Sequence, residues 1–526
     1  MGAEREKSSV EGAGDSSGQV KPEGGMIIRI ARCRGQDGTA VRPLLHPRRL
    51  SVLLLLGAML LGACGSTPRE TDTLRRLTIL HTTDEHGWME SYKGTGGAAG
   101  LQSLWLRDEG YRPDGPFLVI SSGDMWTGPA VSTTLGGESM VDVMNALGYR
   151  SATLGNHDFD FGQLAIRERK AEAEFPFLGA NVRLRSSGAL PDYVEPYALI
   201  EVNGIRVGVL GVTTVETPVD TRPTNVADLE FRPYAEALET YVPEMRAAGA
   251  DLIIVAGHIC GSEAEALAPL ASSLGIPLIA GGHCHQQTTQ TVHGVTLIES
   301  GYFLQGYTRV DLMVDTALDR AVEVNAEYKP NQGTGRDAAM ASRISSWIDQ
   351  LPAGMLEPLG YAAAEIDRES PEMRRLLLDA WLEADPLADV ALASARYVQQ
   401  DLLPGEVTQA TVIGILPTEN VLVRVELTGE QLLEVLNARR SLVAGLNETP
   451  EGYTLPTGAP LDPEATYSVL LPDTLYEGGN YYDVARYDPS PTSTGIDWRD
   501  PMLAMLRSLQ TTRDYPLETA LEQGGS

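Results

Sequence analysis

Most of the eight histidines in this chain fall in short blocks that also carry carboxylates, an amide and glycines. In chain order the blocks are Thr83-Asp84-Glu85-His86, Ser122-Gly123-Asp124, Gly155-Asn156-His157-Asp158-Phe159-Asp160, Gly257-His258 and Gly282-His283-Cys284-His285. These residue types suit a pair of divalent cations about 3.5–4 Å apart, which takes mixed carboxylate, amide and imidazole ligands with one carboxylate bridging both ions. Such a pair serves the hydrolysis of a phosphate ester, which needs a deprotonated water, a clamp on the phosphoryl oxygens and help for the leaving group. Alternation in Asp84-Glu85-His86 and His283-Cys284-His285 predicts that the outer side chains share one face while Glu85 and Cys284 point elsewhere. Glycines ahead of the ligands let the backbone turn sharply toward the metals. His81 is expected to end a strand, and Asp158 either to orient a ligand or to cap a turn. The glycine-rich Gly94-Thr95-Gly96-Gly97 lacks the lysine of a P-loop and reads as a flexible loop near the site.

The blocks need a scaffold that presents loops from several strands at one edge. Apolar runs predict strands at Leu77–His81, Phe117–Ser121, Ile205–Val212, Leu252–Ala256, Ile276–Ala280 and Val295–Ile298. Met140, Val143, Met144 and Leu147 mark one face of a helix that stops at Gly148, and Ala235–Ala248 gives another closed by Gly249. Strands alternating with helices imply a layered α/β domain whose sites sit at the carboxyl ends of the strands. A helical stretch near Asp337–Leu351, followed by Pro352, Gly354, Pro358 and Gly360, reads as a connector. Beyond it a helix near Met373–Leu382, a strand at Val421–Leu427 and a helix at Gln431–Ala438 predict a smaller α+β domain with a disordered tail.

The blocks, in this order, resemble those of the calcineurin-like metallophosphoesterases, and their neighbours are similar to the 5'-nucleotidase family. The resemblance implies a four-layer metallophosphoesterase sandwich over residues 74–335, a helical linker over 336–360 and a 5'-nucleotidase-type C-terminal substrate domain over 361–517. It further implies that Asp84, His86, Asp124 and His285 hold one metal, and that Asp124, Asn156, His258 and His283 hold the other, with Asp124 as the bridge. The ions would be Mn, Zn, Fe or Co, and a metal-bound hydroxide would attack phosphorus in line. His157 with Asp160 is then the catalytic dyad. In the family the second domain grips the nucleoside with arginines and sandwiches the base between two rings; here Ala393-Ser394-Ala395-Arg396 keeps only the arginine and Pro417-Thr418-Glu419-Asn420 lacks the first ring. All seven phenylalanines lie at or before Phe303, and Tyr482 aligns with the second ring. The substrate residues carried over are thus Arg396, Asn420 and Tyr482, with base stacking and plain packing both open for Tyr482. The same family contains thiosulfohydrolases of sulfur oxidation, an alternative reading to nucleotide hydrolysis; a non-catalytic surface binding protein on this scaffold is a third.

At the N-terminus, Arg42, Arg48 and Arg49 precede the apolar run Leu50–Leu61, which is too short to span a bilayer and suits a signal peptide. Leu61-Gly62-Ala63-Cys64 resembles a bacterial lipobox, so residues 1–64 read as an export segment with Cys64 as the lipidated residue, and Met26 is a second candidate start. The implied protein is exported, periplasmic or at the cell surface, and held to a membrane by its lipid. A net charge of −30 argues against nucleic-acid partners and leaves a small phosphorylated molecule as the expected substrate. With only Cys260 and Cys284 beyond the export segment there is no disulfide framework, and two buried thiols are favoured over a single bridge.

Overall fold

A computed structural model describes residues 73–523 apart from 96, 334 and 451; the export segment, the lipobox and Cys64 lie outside the described residues. Two six-stranded sheets face each other. The first runs Arg320–Pro330, Gly306–Asp315, Leu74–Thr82, Phe117–Ser121, Tyr149–Thr153, Phe177–Leu178. The second runs Gln287–Val292, Val295–Ser300, Leu278–Gly281, Leu252–His258, Ile205–Thr213, Tyr197–Val202. In the centre of each, neighbouring strands are parallel, so their carboxyl ends point the same way.

Period-two alternation within buried strands builds the layers. Leu77, Ile79, Leu118 and Ile120 of the first sheet meet Val207, Val209, Ile254 and Leu278 of the second in a core between the sheets. The alternate residues Leu80 and Val119 pack outward against the helices Gly97–Leu104, Glu138–Leu147 and Ala338–Ile348, and Ile253, Val255 and Ile279 pack outward against Tyr234–Ala247 and Gly261–Ser273. The result is a four-layer α/β/β/α sandwich. Gly148 ends its helix in the left-handed conformation at φ 83°, and its amide closes onto Met144 and Asn145 carbonyls. The connector helix Ala338–Ile348, capped by Asp337, belongs physically to this sandwich: Met340 and Ile344 enter its core, and Trp347 Nε1 and Arg343 both reach Asp142.

The smaller α+β half has a five-stranded sheet in the order Ser441–Ala444, Val390–Ser394, Thr466–Pro472, Val421–Thr428, Thr492–Asp497, with only the second and third parallel. Helices 371–384 and Asp500–Leu509 cover one face and Gly429–Ala438 the other. The disordered tail expected after residue 517 is instead the helix Leu517–Gln523. Its Leu517 and Leu521 are buried, and Glu518 accepts from the Ala363 and Ala364 amides, so apolar spacing in Leu517-Glu518-Thr519-Ala520-Leu521 finds a surface to cover. No helix among the described residues is long and apolar enough to cross a membrane.

Candidate active site

Every block that the sequence singled out lies at the carboxyl end of a central strand. Asp84 and His86 follow Leu74–Thr82, Asp124 follows Phe117–Ser121, Asn156 and His157 follow Tyr149–Thr153, His258 ends its strand, and His283 and His285 follow Leu278–Gly281. The outer side chains of the two alternating segments do converge, but not by strand alternation. Asp84, His86, His283 and His285, together with Asp124, all stand in the left-handed region at φ 52°, 47°, 74°, 56° and 56°. Each such residue costs on the order of 1 kcal/mol, and strain of this kind persists where surrounding structure enforces it for a function. The enforcing contacts are visible: Asp84 N donates to Gly123 O, His86 N to Asp124 O, and His283 N to both oxygens of Asp84 at 3.1 Å.

The donor atoms form two groups. In the first, His86 Nε2 lies 3.2 Å from His285 Nε2, and His285 Nε2 lies 3.4 Å from Asp84 Oδ1. In the second, His258 Nε2 lies 3.1 Å from Asp124 Oδ2 and 3.2 Å from Asn156 Oδ1, with the His283 ring 5.0 Å from that of His258. Asp124 Oδ2 is also 3.7 Å from His86 Nε2, so this oxygen stands between the groups. Donors that share one cation at about 2.0–2.2 Å lie roughly 3–3.5 Å apart, which is the spacing found here. The tautomers agree. His86 Nδ1 donates to Thr127 O and His258 Nδ1 to Ser122 O, both at 2.9 Å, which turns each Nε2 into its group as the atom that would meet a cation. Two imidazole Nε2 atoms that face each other at 3.2 Å have a common purpose when a cation lies beside them. The residues present fit a divalent ion in each group.

Supporting residues lock the loops that carry these donors. Asp158 accepts from the amides of Asp124, Met125 and Gly155 at 3.1, 2.7 and 2.7 Å, tying the second block to the third. A Cβ on Gly155 would overlap Asp124 Oδ1, and one on Gly282 would overlap Thr83 Oγ1, so close approach demands glycine at both positions. Glu85 points into the interior, where it accepts from Thr82 and Ser121 hydroxyls, and burial pushes its carboxyl up to about 8. His81 is buried between the Ser300 and Ser122 hydroxyls, and burial pushes it down to about 3, so it is a neutral part of the core. Cys260 and Cys284 form a disulfide with Cα atoms 5.1 Å apart, contrary to the two free thiols favoured from sequence. The pairing needed the fold to bring the end of one strand beside the start of the next histidine loop.

His157 Nδ1 pairs with Asp160 Oδ2 at 2.7 Å, and Thr221 Oγ1 donates to Asp160 Oδ1 at 2.7 Å. Burial alone would lower the imidazole, but Asp160, Asp124 and Asp220 outweigh it and hold His157 up to about 10. The dyad opens into a cleft of about 740 Å³ between the two halves, lined on the far side by Arg396, Arg439, Arg440 and Tyr481. Of the three substrate residues carried over from the resemblance, Arg396 and Tyr482 line this cleft and Asn420 does not, and the Arg396 guanidinium stands 2.9 Å from Asp220 Oδ1. Asn420 is 3% exposed and its amide is taken up by Thr418, Thr474 and Arg222. Tyr482 is 3% exposed, packed among Leu436, Val443 and Val484, with its hydroxyl on Ser441, so its ring offers no stacking face. The neighbouring Tyr481 is 44% exposed and sits beside Arg439, 5.2 Å from ring to guanidinium. With left-handed φ at both Asn480 and Tyr481, the two tyrosines line the cleft unequally, Tyr481 exposed and Tyr482 buried, a difference no sequence pattern announces.

Sequence reading also passed over the loop after Ile205–Thr213, which brings Glu216, Asp220, Thr221 and Arg222 to the cleft; its place after a central strand was the available signal. Tyr302 and Phe303 were missed too. Tyr302 stacks on His285 at 4.8 Å and Phe303 edges against His86 at 5.6 Å.

Comparisons with known proteins agree with this architecture. Residues 77–287 match the calcineurin-like phosphoesterase family and residues 359–454 the 5'-nucleotidase C-terminal domain. Protein UshA of Escherichia coli is 24% identical over 84% of this chain and 93% of its own, and a 5'-nucleotidase of Vibrio cholerae is 25% identical over 83% and 91%. Among solved structures, a 5'-nucleotidase precursor of Thermus thermophilus aligns with a TM-score of 0.71 at 21% identity over 84% of this chain and 97% of that one. Sulfate thiohydrolase SoxB from Thermus thermophilus aligns with a TM-score of 0.68 at 19% identity, over 83% and 94%. The chain thus joins a calcineurin-like phosphoesterase domain to a 5'-nucleotidase C-terminal domain and is a metal-dependent hydrolase of phosphoric esters.

Proposed function

We propose that this chain is an exported two-metal phosphoesterase that releases phosphate from nucleotides or closely related phosphorylated metabolites. One observation carries the reading: the donors of Asp84, His86, Asp124, Asn156, His258, His283 and His285 converge beside the His157–Asp160 pair at a cleft whose opposite wall holds arginines. Asp84, His86, Asp124 and His285 would hold one cation and Asp124, Asn156, His258 and His283 the other. When bound, divalent ions of the Mn, Zn, Fe or Co kind supply Lewis acidity toward the phosphoryl oxygens and lower the pKa of water. The protein's own part is positional and electrostatic. Asp160 fixes His157 Nδ1, so the rest of the ring turns its N–H to the cleft as a donor to a phosphoryl oxygen that gains charge in the transition state. Arg396, Arg439 and Arg440 give a strongly acidic molecule a local cationic wall that attracts the anionic substrate.

The domain limits 74–335, 336–360 and 361–517 are part of the same reading. So are cleavage before Cys64 and lipid anchoring there. The Cys260–Cys284 disulfide fits an oxidising compartment and so supports export. The test is phosphate release by the purified protein with Mn²⁺ across nucleotides, sugar nucleotides and cyclic nucleotides. Turnover on at least one class is expected; none on any would sink the nucleotidase reading.

A second reading, a thiosulfohydrolase-like activity, is favoured by the missing base sandwich: Pro417-Thr418-Glu419-Asn420 holds no ring and Tyr482 is packed away. Sulfate release from a sulfonate-bearing carrier, with no phosphate release from nucleotides, would select it. Measurable turnover of either kind rules out a purely binding role for the scaffold.

A further inference from the structure

The loop that follows the strand Ile205–Thr213 carries two carboxylates into the cleft, Glu216 and Asp220, that lie outside the seven donors already described. Asp220 has an unusual setting. Its side chain is 4% exposed, and one oxygen, Oδ1, accepts from Arg396 Nη1 at 2.9 Å. The other, Oδ2, is buried without a hydrogen-bond partner. It lies 3.6 Å from His283 Nε2, and donor atoms of Glu216, Asp220 and His283 all fall within 4.8 Å of one another. Burying a carboxylate oxygen with no donor is costly, and proteins keep such an oxygen where something binds it. Its neighbour is the ring nitrogen of a residue already in the second donor group. The spacing between them is close to the 3.1 and 3.2 Å that separate His258 Nε2 from Asp124 Oδ2 and Asn156 Oδ1. Asn156 Nδ2 also donates to the Asp220 carbonyl at 3.0 Å, so this loop is fastened to a residue of the same group.

We propose that Asp220 Oδ2 is a further ligand of the cation held by Asp124, Asn156, His258 and His283, with Arg396 fixing the other oxygen of its carboxylate. The inference rests on the two-metal reading and deepens it. The second ion would take two carboxylates, Asp124 and Asp220, and would be bound more tightly than its histidines and amide alone allow. Arg396 comes from the far half of the molecule, so ligand geometry at that ion depends on how the two halves meet.

The test is calorimetric titration of the chelator-stripped full chain with Mn²⁺, read as stoichiometry and stepwise affinity. The unmodified protein is expected to take up two ions. Asp220→Asn should weaken one step at least tenfold and leave the other unchanged, and Arg396→Ala should weaken the same step severalfold. Asp220→Ser removes the charge in a smaller side chain and should reproduce the effect if the asparagine variant folds poorly. Circular dichroism of the stripped variants checks the fold. Two unchanged steps in both Asp220 variants overturn the inference while the two-metal reading stands. Tighter binding in Asp220→Asn also overturns it, because it would mean that Asp220 pairs with a protonated His283 against which the ion must compete. Fewer than two ions in the unmodified protein removes both readings.

Discussion

His157 differs from the other cleft histidines in what holds it. His86 and His258 are anchored through Nδ1 to backbone carbonyls, which suits a ligand that meets its ion through Nε2, whereas His157 is anchored to the carboxylate of Asp160 and is held up to about 10. Removing it should leave the donor groups intact and strip a charge from the transition state. His157→Ala is expected to lower kcat by roughly 10²–10³ while Mn²⁺ content stays at the unmodified level; elemental analysis beside steady-state kinetics checks both. Asp124→Asn should act differently, since Oδ2 stands 3.7 and 3.1 Å from the two groups. Loss of that charge is expected to reduce bound metal and turnover together, and full metal content with normal turnover would contradict the bridge. These residues were legible in the sequence because the chemistry restricts them to a few types beside glycine. Asp220 and Tyr481 were not, because a lone Asp in a loop and one of two adjacent tyrosines carry no mark until the backbone assigns them a direction.

At the scale of elements, the site depends on pairs of loops tied to each other. Asp158 joins the loop after Phe117–Ser121 to the loop after Tyr149–Thr153 through three backbone amides, and Gly155 makes room for Asp124 within that tie. A methyl group at Gly155 must push Asp124 aside. Gly155→Ala is therefore expected to lower metal affinity about 10–100-fold in a titration although the residue offers no ligand atom. Across the site, the disulfide links the end of Leu252–His258 to the loop that carries His283 and His285, closing a loop of 24 residues by sequence separation. Closure of that length stabilises by about 3 kcal/mol in the chain-entropy picture, so a Cys260→Ser, Cys284→Ser double variant should lose a comparable amount in urea unfolding. An unchanged midpoint would show that the bridge does not constrain the unfolded chain. The central strands and their helices were readable from apolar runs of four to nine residues, as in Leu252–His258. The strands Tyr149–Thr153, Val390–Ser394 and Thr466–Pro472 were not, because Arg150, Ser151, Ser468 and the alanines of Val390–Ser394 thin their apolar runs, and the order of strands in each sheet is set by packing that no local window contains.

For the whole molecule, the functional question is how firmly the second half is held over the two donor groups. Arg222, from the loop that also carries Asp220, reaches across to Asp473 at 3.1 Å, Glu477 at 3.3 Å, the Glu419 carbonyl at 2.6 Å and Asn420 Oδ1 at 3.3 Å. Elsewhere between the halves Lys93 pairs with Asp401 and Glu365, and Tyr92 donates to Asp401 at 3.1 Å. None of these pairings was visible beforehand, since Arg222 and Asp473 are 251 positions apart and nothing local distinguishes either from a surface residue. Exposed pairs contribute roughly 0–1 kcal/mol each, but a guanidinium with several partly buried acceptors contributes more, on the order of 1.5–3 kcal/mol for charged hydrogen bonds. Arg222 is thus a multiply bonded tie between the walls of the cleft. In Arg222→Ala the halves should separate more readily, raising the radius of gyration in small-angle scattering and making the connector between Ile348 and Pro358 more sensitive to limited proteolysis. High salt should move the unmodified protein in the same direction, because the Lys93 pairs are about one-third exposed on the lysine side and screening weakens them. Scattering curves that coincide for both proteins at low and high salt would mean that apolar contacts such as Met355 and Ile413 against Ala130 hold the halves together, and that these ion pairs only set their register.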